Sequence, residues 1–187
     1  MGQAKGYAVF VSDYGQIATG FKEELQNSNI EFEEGKHSID RILSSDLVVK
    51  SPGIAPTVPV IQKLMANGNL IISEIEFARK FTDAKLIGIT GTNGKTTTTL
   101  LTYHILKEAG YNVGVAGNVG KSFARQVLES DKEWFVLEIS SFQLDDSYDL
   151  RLEIGVLLNI TPDHLDRYDN DFQKYIASKM RIFHLVH

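Results

Sequence analysis

The chain has 187 residues, 43% of them hydrophobic and 23% charged, with a formal net charge of −5. That size allows one large globular domain or two small ones, and the acidic balance of both halves argues against a general nucleic-acid binder. There is no cysteine for disulfides or thiolate metal sites, no signal-peptide core at MGQAKGYAVFVSD and no apolar run of ~18 residues to span a membrane, so a cytoplasmic protein is the default expectation.

In chain order, YAVFVS (7–12) predicts a buried strand. Residues 15–28 predict a helix, with Ile17, Phe21 and Leu25 four apart. A short strand at IEFEEG, a helical turn at HSIDRIL and a strand at DLVVKS (46–51) follow. The Pro-rich SPGIAPTVP (51–59) reads as a loop, and VIQKLMANG as a helix ending at Gly68. LIISE (70–74) is a strand and IEFARKF a helix, and the pattern restarts near 82–84. Then come strand 85–90, helix 95–110, strand 112–117, helix 120–130, strand 133–140, strand 153–161 and helix 171–185. Apolar strands alternating with amphipathic helices predict α/β architecture with parallel sheets in both halves.

In open parallel sheets, ligands bind beyond the carboxyl ends of the strands, and the unusual polar residues fall there. GITGTNGKTTTTLL (88–101) follows one strand, Asn118 the next, Glu138 and SSFQ the third, and Asn159, Asp163 and His164 the fourth. In the first of these, Gly91 and Gly94 let successive amides curl toward a phosphate. Lys95 adds a point charge, and Thr96 places a hydroxyl where Mg²⁺ would sit. Four threonines (96–99) open the helix, although β-branched residues start helices poorly, which suits a helix N-terminus stabilised by a bound phosphate. The alternative is a Gly-Asn turn with a threonine-capped helix. Ile89 stands where G-x-x-x-x-G-K-[ST] wants glycine, so this is not the common P-loop subtype.

Glu138 interrupts the apolar WFVLEISSF and is costly to bury unless paired. It reads as an Mg²⁺ ligand or as a structural carboxylate facing a cation. His164 in NITPDHLDRY reads as a metal ligand or a loop histidine. On a helix over 171–185, Lys179 falls within an apolar stripe of Phe172, Ile176, Met180 and Phe183, with Lys174 and Arg181 opposite. Such a lysine either snorkels to the surface or has a destabilised ammonium. A neutral amine there can take up CO₂ as a metal-binding carbamate.

GITGTNGKTT, GNVG (117–120), LEISSFQL (137–144), LNITPDHLDRY (158–168) and YIASKMRIF (175–183) together resemble the Mur ligase family, whose loop is G-T-x-G-K-[ST]. DLVVKSPGI (46–54) and ISEIEFA (72–78) extend the likeness into the first half, and EISSFQL is similar to the D-glutamate-adding branch. The resemblance implies a Rossmann-like domain over 1–82 lacking its first βα unit, then the first part of a P-loop central domain over 83–187. It implies synthesis of a peptidoglycan precursor from UDP-N-acetylmuramoyl-L-alanine, D-glutamate and ATP through an acyl phosphate, with charge neutralisation as the main catalytic demand.

On this resemblance the loop residues Gly91, Thr92, Asn93, Gly94, Lys95, Thr96 and Thr97 would hold the ATP phosphates. Thr96 and Glu138 would hold one Mg²⁺, and Glu138, His164 and a carbamylated Lys179 a second. Asn118, Ser140, Gln143, Ser51, Pro52 and Gly53 would face the muramoyl substrate; Asp13 would sit near the ribose or uracil, or else be a turn residue of SDYG. The family's opening glycine turn, adenine contacts and third domain fall outside the sequence. The expectation is therefore a fragment that does not ligate alone and that self-associates through exposed sheet edges. A binding-only fragment, another Mur ligase and a folylpolyglutamate synthase are the rival readings.

Overall fold

The computed structural model describes all residues, 1–187, and the chain forms two compact units. The first comprises Met1–Val48 and Pro56–Leu70; the second comprises Val49–Ala55 and Ile71–His187.

In the first unit, strands β1 (Phe10–Asp13) and β2 (Glu31–Glu34) pair in parallel, with Phe10 opposite Glu31 and Asp13 opposite Glu34. Helix α1 (Thr19–Asn27) makes the crossover between them, and α2 (Ile39–Leu43) packs with α3 (Pro59–Asn67). Helix α3 starts with proline at its first position and stops at Gly68, at φ +79°, where a side chain would be strained. Strands β3 (Leu47–Val49) and β4 (Leu70–Ile72) form a short ladder of their own.

The second unit is built on four parallel strands: β5 (Lys85–Thr90), β6 (Val113–Gly117), β7 (Trp134–Glu138) and β8 (Ile154–Leu157), in the order β6-β7-β5-β8. Strand β5 is buried from Leu86 through Thr90, as a central parallel strand covered on both faces must be. Ile87, Ile89, Val113 and Val136 form a core cluster with Tyr103, Leu106 and Trp134 packed against it. The first two of these partners come from helix α5 (Lys95–Glu108). Helices α4 (Glu74–Arg79) and α6 (Phe123–Glu129) pack on one another. The compact units do not divide at residue 82. Ile71 through Thr82 belong with the second unit, because Ser73 N–H donates to Asp146 O at 2.7 Å, Ser73 and Ser147 hydroxyls meet at 2.9 Å, and Ile75 and Ala78 are fully buried.

Two elements differ from the expected pattern. SSFQL, read only as polar residues following the third strand, forms a short helix α7 (Ser141–Asp145). Ser140 and Gln143 cap it reciprocally: Ser140 Oγ accepts from Gln143 N–H at 3.2 Å and Gln143 Oε1 accepts from Ser140 N–H at 2.9 Å. The last helix, α8 (Phe172–Met180), gives way to a 3₁₀ segment over Arg181–Leu185. The inward face of α8 is Tyr175, Ser178 and Lys179, continued by Ile182 in the 3₁₀ segment, and Met180 and Phe183 are exposed at 42% and 47%. Arg181, expected on the outer face, is half-buried and donates to Leu144 O and Ser147 O at 2.8 and 2.7 Å.

The β6–β7 edge needs glycine at one point. Gly117 has φ +96°, and a Cβ there would lie 2.2 Å from Glu138 O, the carbonyl that accepts from Asn118 N–H. Gly117→Ala is expected to lower stability by about 2–4 kcal/mol through strain and the broken strand-end contact. Urea unfolding of the variant beside the parent chain measures this.

Candidate functional site

The parallel register decides which side chains meet. Ile89 stands opposite Glu138, and Gly117 stands opposite Glu138 on its other side, so β5, β6 and β7 end together. Beyond β5 the chain turns through Gly91 (φ +155°) and Gly94 (φ +82°) into α5. Gly94 caps the helix in the left-handed conformation, and Lys95 is its first residue. At Gly91 a side chain would press on Leu158 Cβ at 3.1 Å and on the Asn159 backbone at 3.4 Å.

This loop is held from the β8 side. Thr92 N–H donates to Asn159 O at 3.0 Å, and Asn93 N–H to Asn159 Oδ1 at 2.9 Å, while Asn159 Nδ2 returns a bond to Asn93 O. Thr92 Oγ1 donates to Thr161 O, accepts from Thr161 N–H, and meets the Tyr175 hydroxyl at 3.1 Å. The amides of Thr92 and Asn93 are therefore committed to the protein. The open donors are those of Gly94, Lys95, Thr96 and Thr97, at the first turn of a 14-residue helix. Lys95 Nζ folds back onto Thr92 O at 2.8 Å.

Glu138 is 2% exposed at the end of β7. Its Oε2 accepts from Thr96 Oγ1 at 2.7 Å and its Oε1 from Asn118 Nδ2 at 2.9 Å. Neither partner is a cation, so both carboxyl oxygens are met by neutral donors beside the glycine loop. The sequence reading of a structural ion pair with Lys or Arg is not what the fold contains.

Lys179 is also 2% exposed, and its Nζ donates to Gly91 O at 2.8 Å. Burial, with repulsion from Lys95 added, pushes its ammonium down to about 8. It does not snorkel; it lies under the glycine loop, 4.8 Å from the centroid of the Tyr175 ring. His164 is more open. It sits in the left-handed region at φ 49°, with Nε2 3.5 Å from Asp163 Oδ2 and its ring centroid 5.4 Å from that of Phe142.

A cleft of about 280 Å³ collects Lys95, Asn118, Ser140, His164, Lys179 and the Pro52-Gly53 loop. Seven residues expected at the site from sequence thus share one cavity wall. Glu138 lies behind it, reached through Asn118. Gln143 has an internal role instead: it is 5% exposed and its Oε1 is used in capping α7, so an oxygen contact to a substrate would break that cap. Asp13 lies in the other unit, where its Oδ1 accepts from Gly15 N–H at 2.8 Å as a turn residue. Sequence reasoning placed Asn159 among the polar groups at the strand ends without giving it a role, and missed Thr161, Tyr175 and Arg167, which support the loop and the cleft wall. The S-x-x-Q cap was legible in principle, but no local pattern marks Asn159 as a partner for residues more than sixty positions earlier.

Comparison with known proteins bears on this arrangement. The Mur ligase middle domain family matches residues 89–187, and the MurD N-terminal domain family matches residues 1–60. Among curated relatives, UDP-N-acetylmuramoylalanine–D-glutamate ligase of Bacteroides fragilis is 56% identical over 182 residues, covering 97% of this chain and 41% of its own length. The ligases of the same name from Porphyromonas gingivalis (56% identical, 97% and 40% covered) and Cytophaga hutchinsonii (54%, 98% and 41%) are similarly close. The chain thus spans about two fifths of the length of these relatives. Two solved structures share the fold at low identity. UDP-N-acetylmuramate:L-alanyl-gamma-D-glutamyl-meso-diaminopimelate ligase from Neisseria meningitides has a TM-score of 0.62 at 20% identity, covering 100% of this chain and 63% of that one. UDP-N-acetylmuramate-alanine ligase from Thermotoga maritima has a TM-score of 0.55 at 22%, covering 98% and 43%. With the middle-domain family matching more than half of its residues, over the same segment that builds the glycine loop, Glu138, His164 and Lys179, the chain belongs to the Mur ligase family.

Proposed function

We propose that this chain is the part of a D-glutamate-adding Mur ligase that binds the ATP phosphates and presents the muramoyl substrate's carboxylate to them. The observation that carries the reading is the meeting of Thr96 and Glu138 at 2.7 Å directly beneath the open first-turn amides of α5. The relatives at 54–56% identity support D-glutamate addition to UDP-N-acetylmuramoyl-L-alanine, and ligation is assigned to the full-length protein.

The residues fit a magnesium nucleotide. Thr96 and Glu138 supply hard oxygen donors, and Mg²⁺ typically takes only one or two carboxylates alongside substrate phosphates and water. No three histidine or acidic side chains converge as a ready-made metal site. A second cation near His164 therefore requires oxygens from a phosphate or from a carbamate on Lys179. Mg²⁺ would supply charge neutralisation of the transferring phosphoryl group. The chain's own groups do the remaining work. The amides of Gly94–Thr97 and the Lys95 ammonium bind and orient the β/γ phosphates; Lys95 is free to swing from Thr92 O because that contact is within its own loop. Asn118 and Ser140 face the cleft where the acceptor carboxylate would lie. Asp13 of the first unit is proposed as a contact to the uridine of the substrate.

Lys179 is proposed to react as the neutral amine: Nζ attacks the carbon of CO₂, a proton leaves, and an N-carboxylate forms. Its lowered pKa of about 8 makes far more of the reactive amine available near neutral pH than an ordinary lysine offers. At fixed total bicarbonate, the amine fraction rises with pH up to that value while dissolved CO₂ falls. The proton released by the reaction then makes carbamate rise with pH up to about 8 and level off above it. Carbon NMR with labelled bicarbonate is expected to show this rise, and Lys179→Arg to abolish the signal.

For nucleotide binding, Lys95→Ala is expected to weaken Mg²⁺-ATP by about 10–100-fold, as losing a charge-assisted contact of about 1.5–3 kcal/mol implies. Glu138→Gln should weaken it chiefly through the magnesium dependence. Titration calorimetry with and without Mg²⁺ separates the two. For the reaction, the full-length protein is expected to release ADP only when both UDP-N-acetylmuramoyl-L-alanine and D-glutamate are present. Turnover with a different amino acid or with a folate acceptor would sink the assignment.

A further inference from the structure

We propose that Arg167 is a positioning residue that locks the Pro52–Ile54 loop to the opposite wall of the cleft and so sets the geometry for the acceptor substrate. The proposal rests on the functional reading above for the identity of that substrate. The clamp itself rests on contacts within the second unit.

Arg167 reaches three consecutive carbonyls more than a hundred residues away in sequence. Its Nη1 donates to Gly53 O at 2.9 Å, and its Nη2 to Pro52 O at 3.3 Å and Ile54 O at 3.2 Å. The guanidinium lies 4.3 Å from the centroid of the Phe142 ring, which in turn packs on His164. One planar cation thus touches the loop through its edge and the aromatic wall through its face, a combination available to Arg and not to Lys. Pro52, Gly53, Phe142 and His164 all line the cleft, so the guanidinium joins its two sides.

Two further observations separate this from an incidental contact. The Nε–H of Arg167 is buried without a hydrogen-bond partner, so the side chain forgoes one bond of its own to hold three carbonyls. In addition, a second cation holds the same loop. Lys50, 6% exposed, donates to Ile54 O at 3.0 Å while paired with Asp146 at 2.8 Å. The loop is therefore gripped by its carbonyls, around a turn in which Ile54 N–H donates to Ser51 O at 3.0 Å.

The test uses the full-length protein with Arg167→Met, which keeps the stem over Phe142, and Arg167→Lys. Hydrogen exchange in the unliganded protein is expected to speed up by about tenfold or more over residues 51–55 in Arg167→Met, with the 91–97 loop unchanged. In turnover, KM for UDP-N-acetylmuramoyl-L-alanine is expected to rise about tenfold or more, while KM for ATP stays within about twofold. Arg167→Lys should recover part of both effects, since an ammonium reaches one carbonyl rather than three. Unchanged exchange at 51–55 would overturn the proposal. So would an equal rise in both KM values with a lowered Tm, which marks a general structural role. If the wild-type protein shows no D-glutamate-dependent ADP release, the functional reading fails separately, and exchange together with direct binding of the UDP-sugar still decides whether Arg167 holds the loop.

Discussion

The carboxylate of Glu138 is the constraint around which the second unit is arranged. A carboxylate 2% exposed at the end of an apolar strand costs several kcal/mol unless its oxygens are satisfied. Here the donors are a hydroxyl from the first turn of α5 and an amide from the end of β6. Both exist only because β5, β6 and β7 stop in register, and that register in turn depends on Gly117 passing close to the Glu138 carbonyl. Both donors are neutral, which leaves room for the magnesium ion of the proposed function.

Lys179 answers that charge from the other side of the glycine loop. Its amine bonds to Gly91 O and does not reach any carboxylate, so its charge is poorly compensated and its pKa falls. A buried acid without a cation and a buried amine without an acid, both bonded to the glycine loop, is an expensive arrangement for a resting fold. In the proposed function, phosphate, metal and a carbamate would complete it. The same economy of contacts is visible in the loop itself. Asn159 takes up the amides of both Thr92 and Asn93 while Thr161 holds the Thr92 hydroxyl, which narrows the open donors to the helix start.

Much of the fold was legible because apolar strands buried on both faces and glycine-closed helices announce themselves locally. The four strand ends, the loop over 91–97 and the placement of Asn118, Glu138 and His164 followed from that pattern. The Lys179 stripe was partly misread: the buried face of α8 is centred on Tyr175, Ser178 and Lys179, so Met180 faces out within the helix and Phe183 faces out in the 3₁₀ segment that follows, where a fixed helical period no longer applies. Lys179 itself was correctly placed as inward. Gln143 was assigned to a ligand although its spacing from Ser140 is that of a reciprocal cap.

Residue types and their short-range spacing therefore carried the α/β class, the glycine loop and the inventory of polar groups at the strand ends. Those properties depend on backbone periodicity and on neighbours a few positions away. Which of those groups touch was settled by strand order and register: Glu138 with Thr96, Lys179 with Gly91, Asn159 with Asn93, and Arg167 with Pro52–Ile54. These contacts join residues from about forty to more than a hundred positions apart, and the free energy that selects them is the shared burial of the sheet. No single segment contains that information.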